Sequence, residues 1–418
     1  MKKIVLTFYI LCLTCGVWAQ LPEPPLADSI QNASQSDFLP DSIIEAPVQQ
    51  SWPGNVVERL DRLMEEPLLK KTQLGLMVYD LTADSTIYRH GEKQTLRPAS
   101  IMKVVTAVAA LDRLGGNHKF RTLLYYKGQV ADSVLKGDVY CVGGMDPLFD
   151  ADDMKAFADS LRSLGITSIS GRLIADTSMK DDTRLGEGWC WDDDNPTLTP
   201  LLIAEKDEFL RSFANVLRGQ GIRVDSTLAE GVLPSGAVRI GSRSHLLEAV
   251  LQPMMKDSRN LYAEAMAYRL AASGGTRRAS YAQARQYIRK LVGRLGLNAG
   301  EYKFADGSGL SLYNYVSAEL MVSLLRYAYQ NPRIYSSLYP SLPIAGQDGT
   351  LEKRMTDPVT RGRVRAKTGT LTGVSSLAGY CWTANNHLLC FCIINQGVMR
   401  NASGRDFQDK VCRTLCLP

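Results

Sequence analysis

The sequence predicts an α/β (α+β) fold in which a larger body is interrupted by a smaller inserted α/β domain, and three observations lead there. Strand-like and helical stretches alternate through the folded region instead of forming all-α or all-β blocks. Between residues 119 and 243 the texture changes: short strand-like pieces (RTLLYYKG, DVYCVGG, SGRLIAD) alternate with helical ones (MKAFADSLRSLG, KDEFLRSFANVLRGQG). Strongly helical sequence then returns, and the chain closes on three strand-like runs and a helix. A length of 418 residues leaves room for two or three domains, so residues 53–118 and 244–418 are read as one domain with 119–243 inserted.

The elements follow in order. Lys2 and Lys3 precede an apolar run over 4–17, and Val17-Trp18-Ala19 offers a small-residue cleavage site. That is the anatomy of a secretory signal peptide over 1–19, with an apolar run short for a membrane span. Cys15 lacks the small residue that usually precedes a lipoprotein cysteine. Residues 20–52, rich in Pro, Ser, Asp and Gln, read as a flexible linker; an ordered peripheral arm is the alternative. VVERLDRLMEE has helical spacing, LGLMVYDL reads as a buried strand and STIYRHG as its hairpin partner. ASIMKVVTAVAALDRLG is an apolar helix stopped by Gly115-Gly116. After the insertion, residues 245–275 and YAQARQYIRKLVGRLG are helical. RGRVRAKTG, VSSLAGYCW and HLLCFCIINQG are strands, and RDFQDKVCRTL is the last helix.

Composition excludes several classes. A net charge of +5 is small for this length and is no nucleic-acid signature. Four scattered histidines and no H-E-x-x-H leave a zinc hydrolase unsupported. No segment after the signal is long and apolar enough to span a bilayer. Nine cysteines become seven once Cys12 and Cys15 leave with the signal, so at least one thiol has no partner within the monomer. Cys390 and Cys392 share a strand face, Cys412 and Cys416 a helix face, and both pairs read most simply as small buried hydrophobes.

Three short motifs carry chemistry. Ser100-Ile101-Met102-Lys103 opens an apolar helix, and one turn brings the two side chains together. A serine hydroxyl needs a base, and a desolvated lysine can be neutral enough to serve. The helix N-terminus adds N–H groups for a developing oxyanion. Alone the motif is weak, because a chain of this length holds roughly one or two S-x-x-K by chance, and Ser100 could equally be a helix N-cap. Ser258-Arg259-Asn260 precedes the helix NLYAEAMAYRL; its serine can relay a proton and its amide can donate and accept, while an N-cap is again the plain alternative. Lys367-Thr368-Gly369-Thr370 ends a strand; the lysine and threonines suit a carboxylate, and Gly369 lets a substrate backbone pass close.

In this order the motifs match the S-x-x-K, S-D-N and K-T-G signature, with Arg259 in the variable middle place. The chain resembles the D-alanyl-D-alanine carboxypeptidase/endopeptidase family, the class C low-molecular-mass penicillin-binding proteins. VYCVGGMDPLF is similar to that family's G-G-x-D-P segment, DDTRLGEGWCWDDDNP to its Trp-rich acidic motif and residues 306–311 to its D-G-S-G-L-S motif. AGQDGTL matches a further segment. The resemblance implies a β-lactamase/transpeptidase-like domain, with an antiparallel sheet between helical layers, split by an insertion. It implies Ser100 as acyl-enzyme nucleophile, Lys103 as its base, and Ser258 with Lys367 steering the proton to the leaving amine. Asn260 would hold the substrate amide, Thr368 and Thr370 the terminal carboxylate, and the N–H groups of Ser100 and Thr370 would form the oxyanion hole. Peptidoglycan peptides ending in D-Ala are the implied substrates and β-lactams the implied covalent inhibitors. No metal or organic cofactor is needed, and the setting is periplasmic or otherwise extracytoplasmic. One departure is expected: an insertion nested within the first, common in the family, is absent or vestigial, because the stretch after DDDNPTLTP is very short. A β-lactamase is the competing enzyme, although no counterpart of the class A deacylating glutamate is found. A non-catalytic β-lactam sensor is the competing binding module, although no signalling domain is found.

Overall fold

The computed structural model describes residues 51–192, 195–224 and 227–418. The expected signal peptide and nearly all of the expected linker lie outside these residues. Helix α1 (Gly54–Met64) buries Val56 and Leu60, one turn apart. Strands β1 (Gln73–Asp80) and β2 (Ser85–His90) form a hairpin, its turn held by the Asp80 carboxylate accepting from the Thr82 and Ala83 amides. A 3₁₀ turn (Ala99–Ile101) leads into α2 (Met102–Leu114), which stops at Gly115 with φ +78°. Then come β3 (Lys119–Ala131), β4 (Val134–Val142) and α3 (Ala151–Ser163), opened by an Asp150/Asp153 capping box. After them run β5 (Ser168–Ile169), β6 (Leu173–Asp176), α4 (Phe209–Gly219), β7 (Arg223–Val224), β8 (Leu228–Glu230) and β9 (Val238–Leu246). Helices α5 (Leu247–Lys256), α6 (Asn260–Ala271), α7 (Tyr281–Arg294), α8 (Ala318–Gln330) and α9 (Pro332–Ser341) follow. Strands β10 (Val364–Leu371), β11 (Val374–Trp382) and β12 (Leu388–Gln396) and helix α10 (Asn401–Cys416) complete the chain.

The described strands form two sheets. The first is antiparallel throughout, in the order β10-β11-β12-β1-β2. Its central strands β11, β12 and β1 are buried along nearly their whole length because both faces are covered. Leu76, Val78, Phe391 and Ile393 pack with α1 and α10, and Met77, Tyr79, Cys390 and Ile394 pack with α2, α6 and α8. This is the expected antiparallel sheet between helical layers. Its two faces divide the cysteines: Cys390 and Cys392 lie together on the α2 side, and Cys412 and Cys416 lie on the α10 side. All seven described cysteines are free thiols, and all but Cys190 are buried. The second sheet runs β7-β5-β4-β3-β9, with β6 joining β4 to β8, and α3 and α4 pack on it through Phe157, Phe213 and Leu217.

Two details differ from what the sequence led us to expect. The helix expected from His245 begins at Leu247, because His245 and Leu246 finish β9 against Phe120 and Lys119. The rest of that stretch is two helices separated by residues 257–259, and α6 begins at Asn260, where the helix NLYAEAMAYRL was read. Helices α8 and α9 occupy a stretch to which the sequence reading assigned no element.

Candidate active site

The nucleophile turn is built from backbone strain and tight packing. Ala99 has φ +51°, which a residue with a Cβ rarely adopts, and Ser100 follows it in the 3₁₀ turn. The sequence reading put Ser100 on the first turn of the α-helix; it lies in the 3₁₀ turn just before. The tighter i, i+3 geometry still brings the pair together, with Lys103 Nζ 2.9 Å from Ser100 Oγ. Lys103 is wholly buried, and its amine also donates to Asn260 Oδ1 at 2.7 Å and to the Ser308 carbonyl at 2.8 Å. Burial drives its pKa down to about 7, against the opposing pull of Asp306 and Glu264. A neutral amine has a lone pair to offer, and Ser100 Oγ is the hydroxyl within reach of it.

Ser258 is no N-cap. Its φ is +60°, Arg259 occupies the cap position of α6, and no side chain caps that helix. The turn instead delivers Ser258 Oγ to Lys367 Nζ, which donates to it at 2.9 Å and to the Thr368 carbonyl at 2.8 Å. Lys367 is also wholly buried; burial first, and the charge of Lys103 second, hold its pKa well below the ordinary value. Asn260 opens α6 with its side-chain carbonyl oxygen accepting from Lys103. Arg259 turns away to pair with Glu205, which also accepts from Tyr262 Oη at 3.2 Å.

Strand β10 places the third motif against the first. A Cβ on Gly369 would lie 2.7 Å from the Pro98 carbonyl and 3.0 Å from the Ser100 nitrogen. Within the chain, the close approach that needs this glycine comes from Ser376 Oγ, 2.2 Å from that Cβ position, and from the nucleophile turn. Ser376 Oγ of β11 donates to the same Pro98 carbonyl at 2.5 Å, clamping the turn to the sheet. Thr368 is half-buried with its hydroxyl donating to Thr350 Oγ1 at 2.8 Å, and Thr370 is exposed. All eight residues singled out from the sequence thus fall on the nucleophile turn, the first turn of α2, the α5–α6 junction and β10.

Other residues complete the site that motif reading did not select. Asp306 ties residues 306–314 into a knot, accepting from the amides of Gly309 and Ser311, each at 2.7 Å, and from Asn314 Nδ2 at 2.8 Å. The Trp189 indole N–H donates to the same carboxylate at 2.8 Å, so the Trp-rich motif is an anchor for this loop. The knot presents the Ser308 carbonyl to Lys103. The signal available for it was the D-G-S-G-L-S run, which reads equally well as an ordinary glycine-rich turn. Among the described residues, no group of three or more His, Cys, Asp or Glu is placed to hold a metal ion.

Residues 56–202 and 199–415 match the D-Ala-D-Ala carboxypeptidase 3 (S13) family. The two pieces meet just before α4, where the sequence was read as short. The D-alanyl-D-alanine carboxypeptidase of Actinomadura sp. (strain R39) is 27% identical, over 81% of this chain and 80% of that protein. The D-alanyl-D-alanine carboxypeptidase DacB of Haemophilus influenzae is 25% identical, over 78% of this chain and 86% of its own length. Among solved structures, penicillin binding protein 4 of H. influenzae superposes with a TM-score of 0.76 at 23% identity, covering 86% of this chain and 98% of that one. The predatory peptidoglycan endopeptidase Bd3459 of Bdellovibrio bacteriovorus superposes at 0.57 with 19% identity, covering 82% of this chain and 93% of that one. With most of its length matched, the chain belongs to the D-Ala-D-Ala carboxypeptidase 3 (S13) family of peptidases.

Proposed function

We propose that the protein is a penicillin-sensitive serine D-Ala-D-Ala carboxypeptidase/endopeptidase acting on peptidoglycan stem peptides through an acyl-enzyme on Ser100. The observation that carries this reading is the buried Lys103 amine 2.9 Å from Ser100 Oγ, with a second buried lysine holding Ser258. Neutral Lys103 takes the hydroxyl proton as Ser100 Oγ bonds to the carbonyl carbon between two D-residues. The N–H groups of Ser100 and Thr370 receive the oxyanion, Asn260 Nδ2 holds the substrate amide, and Thr368, Gly369 and Thr370 border the terminal carboxylate. When the tetrahedral intermediate collapses, the C–N bond breaks and the leaving amine takes a proton by way of Ser258 and Lys367. Water then attacks the ester carbon and gives up a proton to the Ser258–Lys367 pair, replacing the one lost to the leaving amine, and as the ester C–O bond breaks Lys103 returns its proton to Ser100 Oγ. No step calls for a metal or organic cofactor.

The family relatives, the absence of any helix among the described residues long and apolar enough to cross a membrane, and the N-terminal export pattern support an extracytoplasmic site of action. The insertion over 119–243 is proposed as a separate module, on the ground that its strands form their own sheet. The test is to incubate the protein with a fluorescent penicillin and, separately, with purified muropeptides followed by mass analysis. Wild type should be labelled on Ser100 and should release D-Ala or cleave cross-links. Equal labelling of Ser100→Ala, or no labelling of wild type, would sink the assignment.

A further inference from the structure

Helix α6 presents two side chains to the site one turn apart, Asn260 and Glu264. Asn260 touches Lys103 directly. Glu264 does not; its two carboxyl oxygens accept the Gly307 amide at 3.1 and 3.2 Å. Gly307 is fixed at its other end by Thr106 Oγ1, which donates to its carbonyl at 2.7 Å. A Cβ there would lie 2.9 Å from the Ala263 carbonyl, so the loop rests flat on α6. The next carbonyl along, that of Ser308, is the third acceptor of the Lys103 amine. A chain of contacts therefore runs from Glu264 through Gly307 and Ser308 to the proposed general base.

We propose that Glu264 is a positioning residue for the nucleophile: as a neutral acid it holds the Gly307 amide, and thereby the Ser308 carbonyl that, with Asn260, aims the Lys103 amine at Ser100. This rests on the peptidase reading above. An ionised Glu264 would add a second negative charge beside the Asp306 carboxylate in a largely buried space and would draw Lys103 into the ammonium form, which cannot take a proton from Ser100. A protonated carboxyl does neither. The groups facing Glu264 are Lys103 from α2, Asp306 from the knotted loop, Tyr268 on its own helix and Tyr281 from α7. Burial, and after it the charge of Asp306, push the Glu264 carboxyl up to about 8. A cavity of about 200 Å³ lined by Glu264, Tyr268, Tyr281 and Asp306 extends to the partly exposed pair Arg285 and Glu187. It offers Glu264 an exchange route with solvent that none of the three motifs lines.

The test compares wild type, Glu264→Gln and Glu264→Ala in acylation by a fluorescent penicillin from about pH 6 to about pH 10. In parallel, ¹³C NMR of labelled lysine follows the Lys103 amine, assigned by the resonance lost in Lys103→Met. Near pH 7, Glu264→Ala should acylate about tenfold more slowly or worse. Glu264→Gln, whose amide accepts from Gly307 and donates as the acid does, should recover to within about threefold of wild type. Above about pH 8 the wild-type rate should decline as Glu264 ionises, whereas Glu264→Gln should not decline. A glutamine variant as slow as the alanine variant, an alanine variant at the wild-type rate, or the same alkaline decline in Glu264→Gln would each overturn the proposal. If the alanine variant fails to fold, the glutamine profile decides. If wild type takes no penicillin at all, the peptidase reading falls while the NMR titration still decides: an alkaline inflection of Lys103 that vanishes in Glu264→Gln supports the coupling, and its persistence refutes it.

Discussion

Replacing Lys103 by methionine should abolish acylation and also change how stability depends on pH. In the native state Lys103 is wholly buried and its pKa is lowered to about 7; in the unfolded chain it keeps its ordinary value of 10.5. Below about pH 7 both states bind the proton, and the native state bears the full cost of a buried ammonium. At about 1.4 kcal/mol per pH unit between the two values, that cost is about 5 kcal/mol. Between about pH 7 and pH 10.5 the unfolded chain holds a proton that the native state has released, so the cost shrinks and stability rises with pH. Methionine fills a similar volume without the charge. It also leaves the Asn260 and Ser308 acceptors unpaired, at about 1–3 kcal/mol each, a loss that does not vary with pH. At neutral pH the two effects largely offset, so a single melting temperature decides little. The difference between the two proteins across pH decides more. Urea unfolding should show wild type gaining several kcal/mol over Lys103→Met between about pH 7 and about pH 10. Removing Lys103 also lets the pKa values of Lys367 and Glu264 rise, because its charge lowers both, so the difference profile reads the buried amine together with its two neighbours. Parallel stability profiles would refute the buried-amine argument, and penicillin labelling of Lys103→Met at the wild-type rate would refute its role as base.

Two further outcomes test the site and the core. Gly309 has φ +83°, and a Cβ there would lie 1.9 Å from the Ala99 carbonyl, so Gly309→Ala must displace the nucleophile turn. We expect a loss of about 2–4 kcal/mol in stability by thermal unfolding and an acylation rate about a hundredfold lower, and a wild-type rate would contradict this. Cys190 is exposed and the other six described cysteines are buried, so Cys190→Ser should lower the native thiol titre by one equivalent. Those six should react only on unfolding, and rapid reaction of any of them in the native protein would count against the packing described.

What the sequence made legible was local. Ser100 and Lys103 meet because one helical turn separates them, and β10 to β12 follow from short strand-like runs bounded by turns, continuously apolar along β11 and β12. Contacts across the chain were not legible. Lys103 reaches Asn260 over 157 positions and Ser308 over 205, and no spacing rule links such residues. The start of α6 at Asn260 was legible from the polar Ser258-Arg259 before it, but the geometry of the break was not: Arg259, not Ser258, takes the cap position. That break matters: it puts Ser258 at φ +60° and so within reach of Lys367. Gly369 reads from sequence as a position of close approach, and within the chain that approach is made by Ser376 and the nucleophile turn. A glycine's need for close approach is readable from sequence, but what approaches it is a tertiary fact.

The two lysines gain their use from the same burial. Each has its ammonium disfavoured by desolvation, and the charge of Lys103 lowers the pKa of Lys367 further. In the proposed mechanism, Lys103 becomes positive at the moment it takes the proton from Ser100. That new charge appears in a space with little solvent to screen it, so it weakens the hold of Lys367 on any proton it carries. The outlet is Ser258 Oγ, 2.9 Å from Lys367 Nζ, on the path to the leaving amine. Deprotonating the nucleophile and protonating the leaving group are then coupled through one buried charge, without a side chain having to move. The coupling also gives the knotted loop around Asp306 its purpose. Its carboxylate sits near enough to raise the pKa of Lys103, so the amine binds the serine proton well enough to accept it and loosely enough to return it.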